Sequence, residues 1–467
     1  MRSDRNTKYD AIVIGSGQAG TPLALAMAHA GRRTALIEST HVGGTCVNVG
    51  CTPTKTLIAS ARVAHLAARA GDYGVECADC CKVDFRRVMD RVHGMVESFR
   101  SGSERRLRET RNVELIAGEG RFVGPNQVEA LMPSRERRLC EAPLVFINVG
   151  ARPRRPTLDG LDEVEVLDST SILGLDLLPD HLIILGGGYI GVEYGQAFRR
   201  LGSRVTIIQR RSQLLTREDP EIADAVADLL RSEGVRILFD ATPVLVEPGR
   251  GGGMILTLES NGERTIIEGP HLLAAVGRTP NSDRLNLEAA GVEVDEQGYI
   301  RVNDRLETNV PGIYALGDVK GGPAFTHTSY DDFRIVRTNL LEGGALSKKD
   351  RLVPYTVFTD PQLGRIGLSE RQAVAAGIPF HVASMPMEYV ASALERGESK
   401  GLMKVIIHAA TGRILGAAVL GIEGGEVMTM LQLAMMGDLS YARLRDAVFT
   451  HPSLAEALNN LFASIED

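Results

Sequence analysis

Short apolar runs, each followed by a turn and a stretch of different periodicity, recur along the chain. The runs at 9–14 and 34–37 flank one helical stretch, and those at 182–185 and 205–208 flank a second. Apolar runs of this length that alternate with helices indicate parallel strands that are buried on both faces of a sheet. The sequence therefore predicts an α/β fold with two Rossmann-like domains, of which the second repeats the first.

The hydrophobic pattern changes from Val353 onward. Strand-like runs at 353–358, 404–407 and 416–420 are accompanied by amphipathic helical stretches at 370–376 and 424–437. Strands and helices in this arrangement favour an antiparallel sheet with helices packed on it. We therefore expect the C-terminal part of the chain to form a separate α+β domain.

The length of the chain is consistent with this organisation, because 467 residues suffice for about three domains.

The first apolar run ends in a glycine-rich turn that is typical of dinucleotide binding. Gly15, Gly17 and Gly20 follow the spacing Gly-x-Gly-x-x-Gly, and Glu38 ends the next strand. The glycines let the backbone approach a pyrophosphate at a helix N-terminus, and an acid about 20 residues on accepts hydrogen bonds from ribose hydroxyls. The flanking strand and the acid make this motif more specific than a glycine triplet alone.

The second apolar run ends in a similar turn, with Gly186, Gly188 and Gly191. Its second strand ends in Gln209, and Arg210 and Arg211 follow. A carboxylate at this position would bind the 2′-hydroxyl of NAD, whereas an amide followed by two guanidinium groups suits a 2′-phosphate. We therefore predict NADPH as the nicotinamide nucleotide, with NADH as a possible second one; the alternative is a basic surface turn that tolerates either.

Two cysteines, Cys46 and Cys51, lie between the first turn and a predicted helix. Thr52 is suited to cap that helix, and its positive N-terminal end would favour a thiolate at Cys51. In a regular helix residues five apart rise about 7.5 Å, which is too far for a disulfide, so we expect a bend at Gly50. A bridge over so short a loop constrains the unfolded chain little, and we interpret the pair as a redox-active disulfide.

Composition and charge exclude several other classes of protein. The formal charge of −7 is spread along the chain, which argues against nucleic acid or a membrane surface as a partner. No apolar run approaches the roughly 20 residues that a bilayer span needs, and the polar N-terminus does not resemble a signal peptide. Six cysteines without a secretory signal favour a reducing compartment, so we expect a cytoplasmic protein.

The segment from Gly43 to Lys55 reads Gly-Gly-Thr-Cys-x-Asn-x-Gly-Cys-x-Pro-x-Lys. It resembles the active-site signature of the class I pyridine nucleotide-disulfide oxidoreductases, the flavoprotein family of glutathione reductase, dihydrolipoamide dehydrogenase and mercuric reductase. The resemblance implies an FAD-binding domain at 1–151 together with 279–345, an NADPH-binding domain at 152–278 and a dimerisation domain at 346–467 that holds a homodimer together. It also implies that Cys51 is the thiolate next to the flavin and that Cys46 exchanges with the substrate.

Further site residues follow from the same resemblance. It implies that Glu193 pairs with Lys55 beside the flavin and that Tyr189 is the gate over the nicotinamide pocket. It also implies that His451, oriented by Glu456, is the acid–base group at the disulfide of the other subunit. The remaining implied cofactor contacts are Gly44, Thr45, Lys55, Gly150, Gly317, Asp318 and Phe325 for FAD, and Ile190 and Gly277 for NADPH.

The sequence is most similar to mercuric-reductase-like and hypochlorite-responsive members of the family, and this leaves the electron acceptor open between a disulfide and a metal ion. The C-terminal cysteine pair of mercuric reductases is not found in this sequence, whereas the histidine at 451, which they lack, is present. An NAD-dependent dihydrolipoamide dehydrogenase is the main alternative, and the residues at 209–211 disfavour it. A soluble transhydrogenase would lack the cysteine pair.

A further cluster of thiols raises an alternative of another class. Cys77, Cys80 and Cys81 could bind a soft metal ion, since thiolates select copper(I), zinc or mercury. No histidine or fourth cysteine lies close in sequence to complete a site. If the cluster does bind metal, the protein could be a metal-binding or redox-sensing flavoprotein.

Overall fold

The structure, a computed structural model, describes residues 7–76, 82–349 and 351–465. Numbered in chain order, the strands are β1 (Thr7–Lys8), β2 (Ala11–Ile14), β3 (Thr34–Glu38), β4 (Val113–Ala117), β5 (Glu119–Gly124), β6 (Gln127–Leu131), β7 (Arg137–Glu141), β8 (Leu144–Ile147), β9 (Ala151–Pro153), β10 (Val166–Leu167), β11 (His181–Leu185), β12 (Arg204–Ile208), β13 (Arg236–Leu238), β14 (Thr242–Pro248), β15 (Met254–Ser260), β16 (Glu263–Gly269), β17 (His271–Ala274), β18 (Arg278–Pro280), β19 (Ile313–Ala315), β20 (Tyr355–Val357), β21 (Gln362–Gly367), β22 (Phe380–Pro386), β23 (Leu402–His408) and β24 (Ile414–Gly421).

The α-helices are numbered in the same way. They are α1 (Gly20–His29), α2 (Gly44–Asn48), α3 (Cys51–Ala68), α4 (Phe85–Glu109), α5 (Tyr189–Leu201), α6 (Pro220–Ser232), α7 (Thr326–Leu341), α8 (Glu370–Ala375), α9 (Ala391–Glu395), α10 (Gly424–Met436), α11 (Tyr441–Arg445) and α12 (Ala457–Ala463).

The first Rossmann-like sheet is five-stranded and parallel, in the order β19-β8-β2-β3-β4. Successive residues of β2 face opposite sides of it: Ile12 and Ile14 pack in one apolar cluster, and Ala11 and Val13 in another. Both faces are therefore buried, which explains why the strand is apolar without alternation. The antiparallel strands β5, β6 and β7 form a separate four-stranded sheet with β1.

The second sheet repeats the first, as the sequence predicts. It is five-stranded and parallel, in the order β10-β17-β11-β12-β13. The three-stranded meander β14-β15-β16 is inserted between β13 and β17, and the glycine-rich segment at 249–253 lies at its first hairpin. The α/β fold with two Rossmann-like parts is thereby confirmed.

The C-terminal part contains a five-stranded antiparallel sheet in the order β20-β21-β24-β23-β22. Helices α10 and α12 cover one face of it, and residues such as Val419, Leu431 and Leu461 form the apolar core between sheet and helices. The predicted α+β character is confirmed, although the sequence analysis did not include β22, whose burial is interrupted by several exposed residues.

The start of helix α3 differs from the prediction. The helix begins at Cys51, so Thr52 lies within it rather than capping it. The carbonyl of Gly50 accepts hydrogen bonds from the amide and the hydroxyl of Thr54, at 3.1 and 2.7 Å. The carbonyl of Gly50 therefore accepts the first backbone hydrogen bond of α3.

Contacts along the chain define two compact units. One comprises Met1–Thr56, Met89–Arg154 and Gly277–Arg351, and the other comprises Leu57–Val88, Arg155–Val276 and Leu352–Asp467. The division into three domains with the boundaries given above stays a prediction. Among the described residues, no helix has both the length and the apolar composition that crossing a bilayer requires.

Candidate active site

Cys46 and Cys51 lie on two different helices. Cys46 is in the short helix α2, and Cys51 is the first residue of α3, with Val49 and Gly50 between the helices. A Cβ atom at Gly50 would lie 2.8 Å from the carbonyl oxygen of Thr45, so the chain can turn back only with glycine at this position. The bend expected between the cysteines is present.

The two sulfurs interact with each other and with the hydroxyl of Thr326. Cys51 is exposed, and its Sγ lies 3.2 Å from Thr326 Oγ1. The hydrogen bond between the cysteines and the burial of Cys46 both raise the pKa of the Cys46 thiol, while the Thr326 hydroxyl acts in the opposite direction. The arrangement therefore keeps one proton on Cys46 and leaves Cys51 as the better site for a thiolate.

Thr326, which no sequence pattern indicated as a member of this group, is the first residue of α7, and 275 residues separate it from Cys51. Its contact with the sulfurs depends on the fold and not on neighbouring residues. Phe325, predicted to contact FAD, is the N-cap of the same helix and stacks on His327.

Helix α2 is held in place by side chains outside the cysteine motif. The side-chain amide of Asn48 donates to the carbonyls of Val42 and Gly44, at 3.1 and 2.9 Å. Arg100 Nε on α4 donates to Asn48 Oδ1 at 2.7 Å. The carbonyl of Thr45 accepts a bond from the amide of Val49 at 2.9 Å, which closes the last turn of the helix.

Lys55 and Glu193 are placed by different parts of the fold. Lys55 is half-buried on α3, within the first unit. Glu193 is buried on α5 in the second unit, where its carboxylate accepts a hydrogen bond from the amide of Phe358 at 2.9 Å. Their pairing beside a flavin stays a prediction.

The first glycine turn fits a dinucleotide. A Cβ atom at Gly15 would lie 2.4 Å from the carbonyl oxygen of Asn148, and one at Gly20 would lie 2.0 Å from the carbonyl oxygen of Gly15. Glu38 is fixed at the end of β3, because it accepts bonds from the amide and hydroxyl of Ser16 at 2.9 and 2.6 Å. The tight backbone and the oriented carboxylate are what FAD requires at this position.

Other predicted FAD residues surround this turn. A Cβ atom at Gly44 would lie 2.7 Å from the Cα of Gly17, so the cysteine motif packs directly on the turn. Gly150 and Gly317 have positive φ angles of 66° and 71°. Asp318 lies beside Gly317, and burial raises the pKa of its carboxyl group. A buried carboxyl of this kind suits a hydrogen bond with a ribityl hydroxyl.

Asn148 is a second residue that the sequence analysis did not identify as part of the site. Its backbone amide donates to the carbonyl of Ile14 at 2.8 Å, and its side-chain amide donates to the carbonyl of Gly15 at 3.3 Å. It thereby ties the end of β8 to the first glycine turn. Its place at the C-terminal end of a buried strand, within the run Phe-Ile-Asn-Val-Gly, was the available signal.

The second turn repeats the geometry of the first with different side chains. A Cβ atom at Gly191 would lie 2.0 Å from the carbonyl oxygen of Gly186, as at the corresponding glycines of the first turn. The side-chain oxygen of Gln209 accepts a bond from the amide of Gly187 at 3.3 Å, and its nitrogen donates to the carbonyl of Gln213 at 2.8 Å. The residue at the end of the second strand therefore contacts the glycine turn in both Rossmann-like parts, as Glu38 in the first and Gln209 in the second.

The remaining residues predicted to contact NADPH lie near this turn or just before β18. Arg210 and Arg211 are exposed directly after β12, in a position that leaves them accessible to a phosphate. Gly188 is the exposed N-cap of α5, and Tyr189 and Ile190 are its first two residues. Gly277 has a φ of 115° just before β18.

His451 and Glu456 are adjacent in the structure, as the motif predicted. His451 Nδ1 lies 2.8 Å from a carboxylate oxygen of Glu456, and the His451 side chain is 69% exposed. The carboxylate fixes the ring so that Nε2 is the atom available to other groups. Their catalytic roles stay predictions, and Cys77, Cys80 and Cys81 lie outside the described residues.

Comparison with known proteins identifies two family models along the chain. Residues 9–332 match the pyridine nucleotide-disulphide oxidoreductase model, and residues 353–462 match the dimerisation domain of the same proteins. Together these two matches span most of the described chain.

Individual relatives agree with these matches. The probable pyridine nucleotide-disulfide oxidoreductase RclA of Escherichia coli (strain K12) is 38% identical over 98% of this chain and all of its own length. Mercuric reductase of Bacillus cereus is 36% identical over 98% of this chain and 72% of its own length. Dihydrolipoyl dehydrogenase of Thermus scotoductus is 34% identical over 96% of both chains.

The solved structures give the same result. The Cu(II) complex of the HOCl-induced flavoprotein disulfide reductase RclA from Escherichia coli superposes with a TM-score of 0.89 and 37% identity, covering 98% of this chain and 100% of that one. With the two glycine turns, the cysteine pair and the C-terminal sheet in place, these comparisons show that the chain belongs to the pyridine nucleotide-disulphide oxidoreductase family.

Proposed function

We propose that this protein is an FAD-dependent, NADPH-linked disulfide reductase whose redox-active pair is Cys46 and Cys51 and whose final acceptor is a disulfide or a thiophilic metal ion. The observation that carries the proposal is the arrangement of the two sulfurs. They interact at a glycine-closed break between two helices, and the hydroxyl of Thr326 lies 3.2 Å from Cys51 Sγ. A pair kept only for stability would need neither this hydroxyl nor exposure at Cys51.

The proposed chemistry balances on the two cysteines. Reduction of the disulfide breaks one S–S bond, takes up two electrons and one proton, and gives the Cys46 thiol and the Cys51 thiolate. The raised pKa of the Cys46 thiol supports this distribution of the proton. Transfer to an acceptor re-forms the S–S bond and releases two electrons, and Cys46 gives up its proton again.

The chain offers residues to hold both cofactors. When bound, FAD supplies two-electron chemistry between a nicotinamide nucleotide and a disulfide. Gly15, Gly20 and Glu38 would hold the FAD dinucleotide, and Asp318 its ribityl chain. At the second turn Gln209 replaces the acid found at the first, and the exposed Arg210 and Arg211 follow it, which supports NADPH over NADH.

Two observations bear on the acceptor. A similar structure is that of a Cu(II) complex of a flavoprotein disulfide reductase, and several relatives are mercuric reductases. A pair of neighbouring thiols is also a suitable ligand set for a soft metal ion. The pairing of His451 with Glu456, by contrast, supports proton transfer during thiol–disulfide exchange.

We further propose a cytoplasmic homodimer. The match of residues 353–462 to a dimerisation domain supports the assembly. In this dimer His451 of the partner subunit would reach the cysteine pair and exchange a proton with Cys46.

The test is an anaerobic titration of the purified holoprotein with NADPH, followed by absorbance and thiol counting. We expect two new thiols per chain and a long-wavelength thiolate–flavin band. Cys46→Ser should retain the band, because Cys51 remains, and Cys51→Ser should abolish it. A band that survives in Cys51→Ser, or an unchanged thiol count, would refute the proposal.

The acceptor is then identified by a panel of glutathione disulfide, lipoamide, Hg²⁺, Cu²⁺ and quinones. We expect turnover with a disulfide or a metal ion that is lost in Cys46→Ser. Fast NAD-linked oxidation of dihydrolipoamide would instead identify a dihydrolipoamide dehydrogenase. Metal that is bound by the parent and lost only when Cys77, Cys80 and Cys81 are replaced would favour the metal-binding alternative.

A further inference from the structure

A buried carboxylate on α7 binds the backbone next to Asp318, the residue predicted to contact the ribityl chain of FAD. The Asp332 side chain is 0% exposed, and its Oδ2 accepts a hydrogen bond from the amide of Gly317 at 2.9 Å. Gly317 directly precedes Asp318, and both belong to the short 3₁₀ helix Gly317–Lys320. A buried amide needs an acceptor, and the chain supplies this one from a residue 15 positions further on. Asp332 therefore fixes the segment that carries Asp318.

Two cations compensate the charge of Asp332. Lys320 Nζ lies 3.2 Å from Oδ2 of this residue, and Arg351 Nη2 donates a hydrogen bond to Oδ1 at 2.7 Å. The Lys320 side chain is 6% exposed and that of Arg351 is 13% exposed. Arg351 also donates to the carbonyl of Thr328 at 3.3 Å. A buried carboxylate is costly unless it is paired, and one with this set of partners fixes their geometry strongly.

Gly317 is also packed closely against two other residues. A Cβ atom at Gly317 would lie 3.1 Å from Asn148 Oδ1 and 3.2 Å from Ser329 Oγ. The side-chain amide of Asn148 donates in turn to the carbonyl of Gly15 at 3.3 Å. The bond from Gly317 to Asp332 therefore lies where α7 meets the residue that holds the first glycine turn.

The charges around Asp332 also act on Asp318. Burial raises the pKa of the Asp318 carboxyl group, the charges of Arg278 and Lys320 oppose this change, and the charge of Asp332 adds to it. Arg278 Nε lies 3.7 Å from Asp318 Oδ2. Lys320 thus acts on both carboxylates, so the loss of Asp332 would change the charge balance at Asp318 as well as the position of its backbone.

We propose that Asp332 is a positioning residue for FAD, and that its hydrogen bond with the Gly317 amide holds Asp318 ready to bind the ribityl chain. The inference rests on the proposed function, in which Gly317 and Asp318 contact FAD. Because its side chain is fully buried, Asp332 acts through the backbone of these two residues. Without this bond the segment has to be ordered when FAD binds, and that ordering lowers the affinity.

The test is release of FAD from the purified full-length holoprotein on dilution, followed by flavin fluorescence, which requires no turnover. Asp332→Ala removes the acceptor, so we expect the Kd for FAD to rise about 10- to 100-fold, as for the loss of a hydrogen bond with a charged group. Asp332→Asn keeps an oxygen for the Gly317 amide and should recover about 2- to 10-fold of this loss, the range of a hydrogen bond between neutral groups. If Asp332→Ala does not fold, the same comparison is made with Lys320→Met added to both variants, because this removes the stranded cation.

A matched control is available in the other compact unit. Glu233 is 9% exposed and pairs with Arg200 at 2.7 Å, so Glu233→Gln unbalances a buried ion pair without changing the flavin motif. We expect it to lower the stability of the protein and to leave the Kd for FAD unchanged. A parental Kd in Asp332→Ala, equal Kd values in the Ala and Asn variants, or a similar loss of FAD in Glu233→Gln would overturn the proposal.

A second readout separates this inference from the proposed function. Amide hydrogen exchange of the segment 313–321, measured by mass spectrometry, reports the Gly317 hydrogen bond directly. We expect the Gly317 amide to exchange about 10- to 100-fold faster in Asp332→Ala than in the parent, and at the parental rate in Glu233→Gln. Unchanged exchange in Asp332→Ala would refute the role of Asp332 even if FAD binds normally. Faster exchange in a protein that binds no FAD would support the hold of Asp332 on Gly317, and the proposed function would be what fails.

Discussion

The hydroxyl of Thr326 contacts the sulfurs without belonging to the cysteine motif. It lies 3.2 Å from Cys51 Sγ and also interacts with Cys46. A hydroxyl can donate to a thiolate, and hydrogen bonds to charged groups are stronger than those between neutral groups. Thr326 therefore has the position needed to stabilise the reduced state of the pair.

We expect Thr326→Val to disfavour the Cys51 thiolate, because valine keeps the shape of threonine and removes the donor. The midpoint pH of the thiolate–flavin band in the two-electron-reduced protein should rise by about 1–2 pH units, as expected for the loss of one hydrogen bond to a charged group. A pH titration of the absorbance measures this. Thr326→Ser keeps the hydroxyl and should behave like the parent protein; a Val variant with the parental midpoint would contradict the assignment.

At the scale of elements, the two strand–turn–helix motifs share one backbone architecture but differ in the residue that ends the second strand. In the first unit the side chain of Glu38 accepts the amide hydrogen bond of Ser16, and in the second that of Gln209 accepts the amide hydrogen bond of Gly187. The backbone of the two turns is equivalent, so the choice of nucleotide depends on the charge at this residue and on the arginines that follow it.

We therefore expect that Gln209→Glu combined with Arg210→Ser and Arg211→Ser will shift cofactor preference toward NADH. The ratio of kcat/KM for NADPH to that for NADH should fall by about 10- to 100-fold, because charge-assisted contacts with a 2′-phosphate are lost. Steady-state kinetics with both nucleotides measure the ratio. Arg204→Ser, at the exposed start of the same strand, is the control and should leave the ratio unchanged; an unchanged ratio in the triple variant would refute the interpretation.

Parts of the fold that are set by neighbouring residues could be predicted from the sequence, and parts that are set by distant contacts could not. The buried strands β2 and β11 and their turns were predictable, because apolar runs and glycine spacing are set by neighbouring residues. The short helix α2 was not, since its five residues include Gly44 and are held by Asn48 and Arg100. In the site, the cysteine pair was apparent from the sequence, whereas the contact of Thr326 with Cys51 joins residues far apart in the chain.

One buried ion-pair cluster connects elements that are distant in sequence. Arg200 on α5 pairs with Glu233 at 2.7 Å and also with Asp360, and its side chain is 6% exposed. We expect Arg200→Met to destabilise the protein by about 3–5 kcal/mol, because Glu233 loses its buried cation and Asp360 keeps only its pairing with Arg62. Urea unfolding at fixed protein concentration measures the change.

The control for this prediction is an exposed pair. Arg155 pairs with Asp162, and their side chains are 68% and 92% exposed. Arg155→Met should change the free energy of unfolding by less than about 1 kcal/mol, as is usual for surface ion pairs. Equal losses in the two variants would show that burial does not determine the cost.

At the scale of the whole molecule, the proposed site is completed only in a dimer. His451 is exposed, and the exposed faces of Leu433 and Met436 on α10 leave apolar surface in the part of the chain that matches a dimerisation domain. If, as proposed, the partner subunit supplies the acid–base group, activity depends on assembly, because each cysteine pair then needs the histidine of the other chain.

We expect His451→Ala to slow reoxidation of the reduced protein by disulfides and to leave the rate of reduction by NADPH unchanged, which rapid-mixing absorbance measurements would resolve. Neither homodimeric His451→Ala nor Cys51→Ser protein should turn over well. Mixed dimers of the two variants contain one intact site, so they should recover up to about half of the parental activity per mixed dimer. Mixed dimers without recovered activity would place His451 at the cysteines of its own chain.

The break at Gly50 separates the two sulfurs mechanically. Cys51 is the first residue of the 18-residue helix α3, whereas Cys46 lies in the five-residue helix α2. In the proposed redox cycle we therefore expect the Cys46 sulfur to move more than the Cys51 sulfur when the bond between them opens and closes.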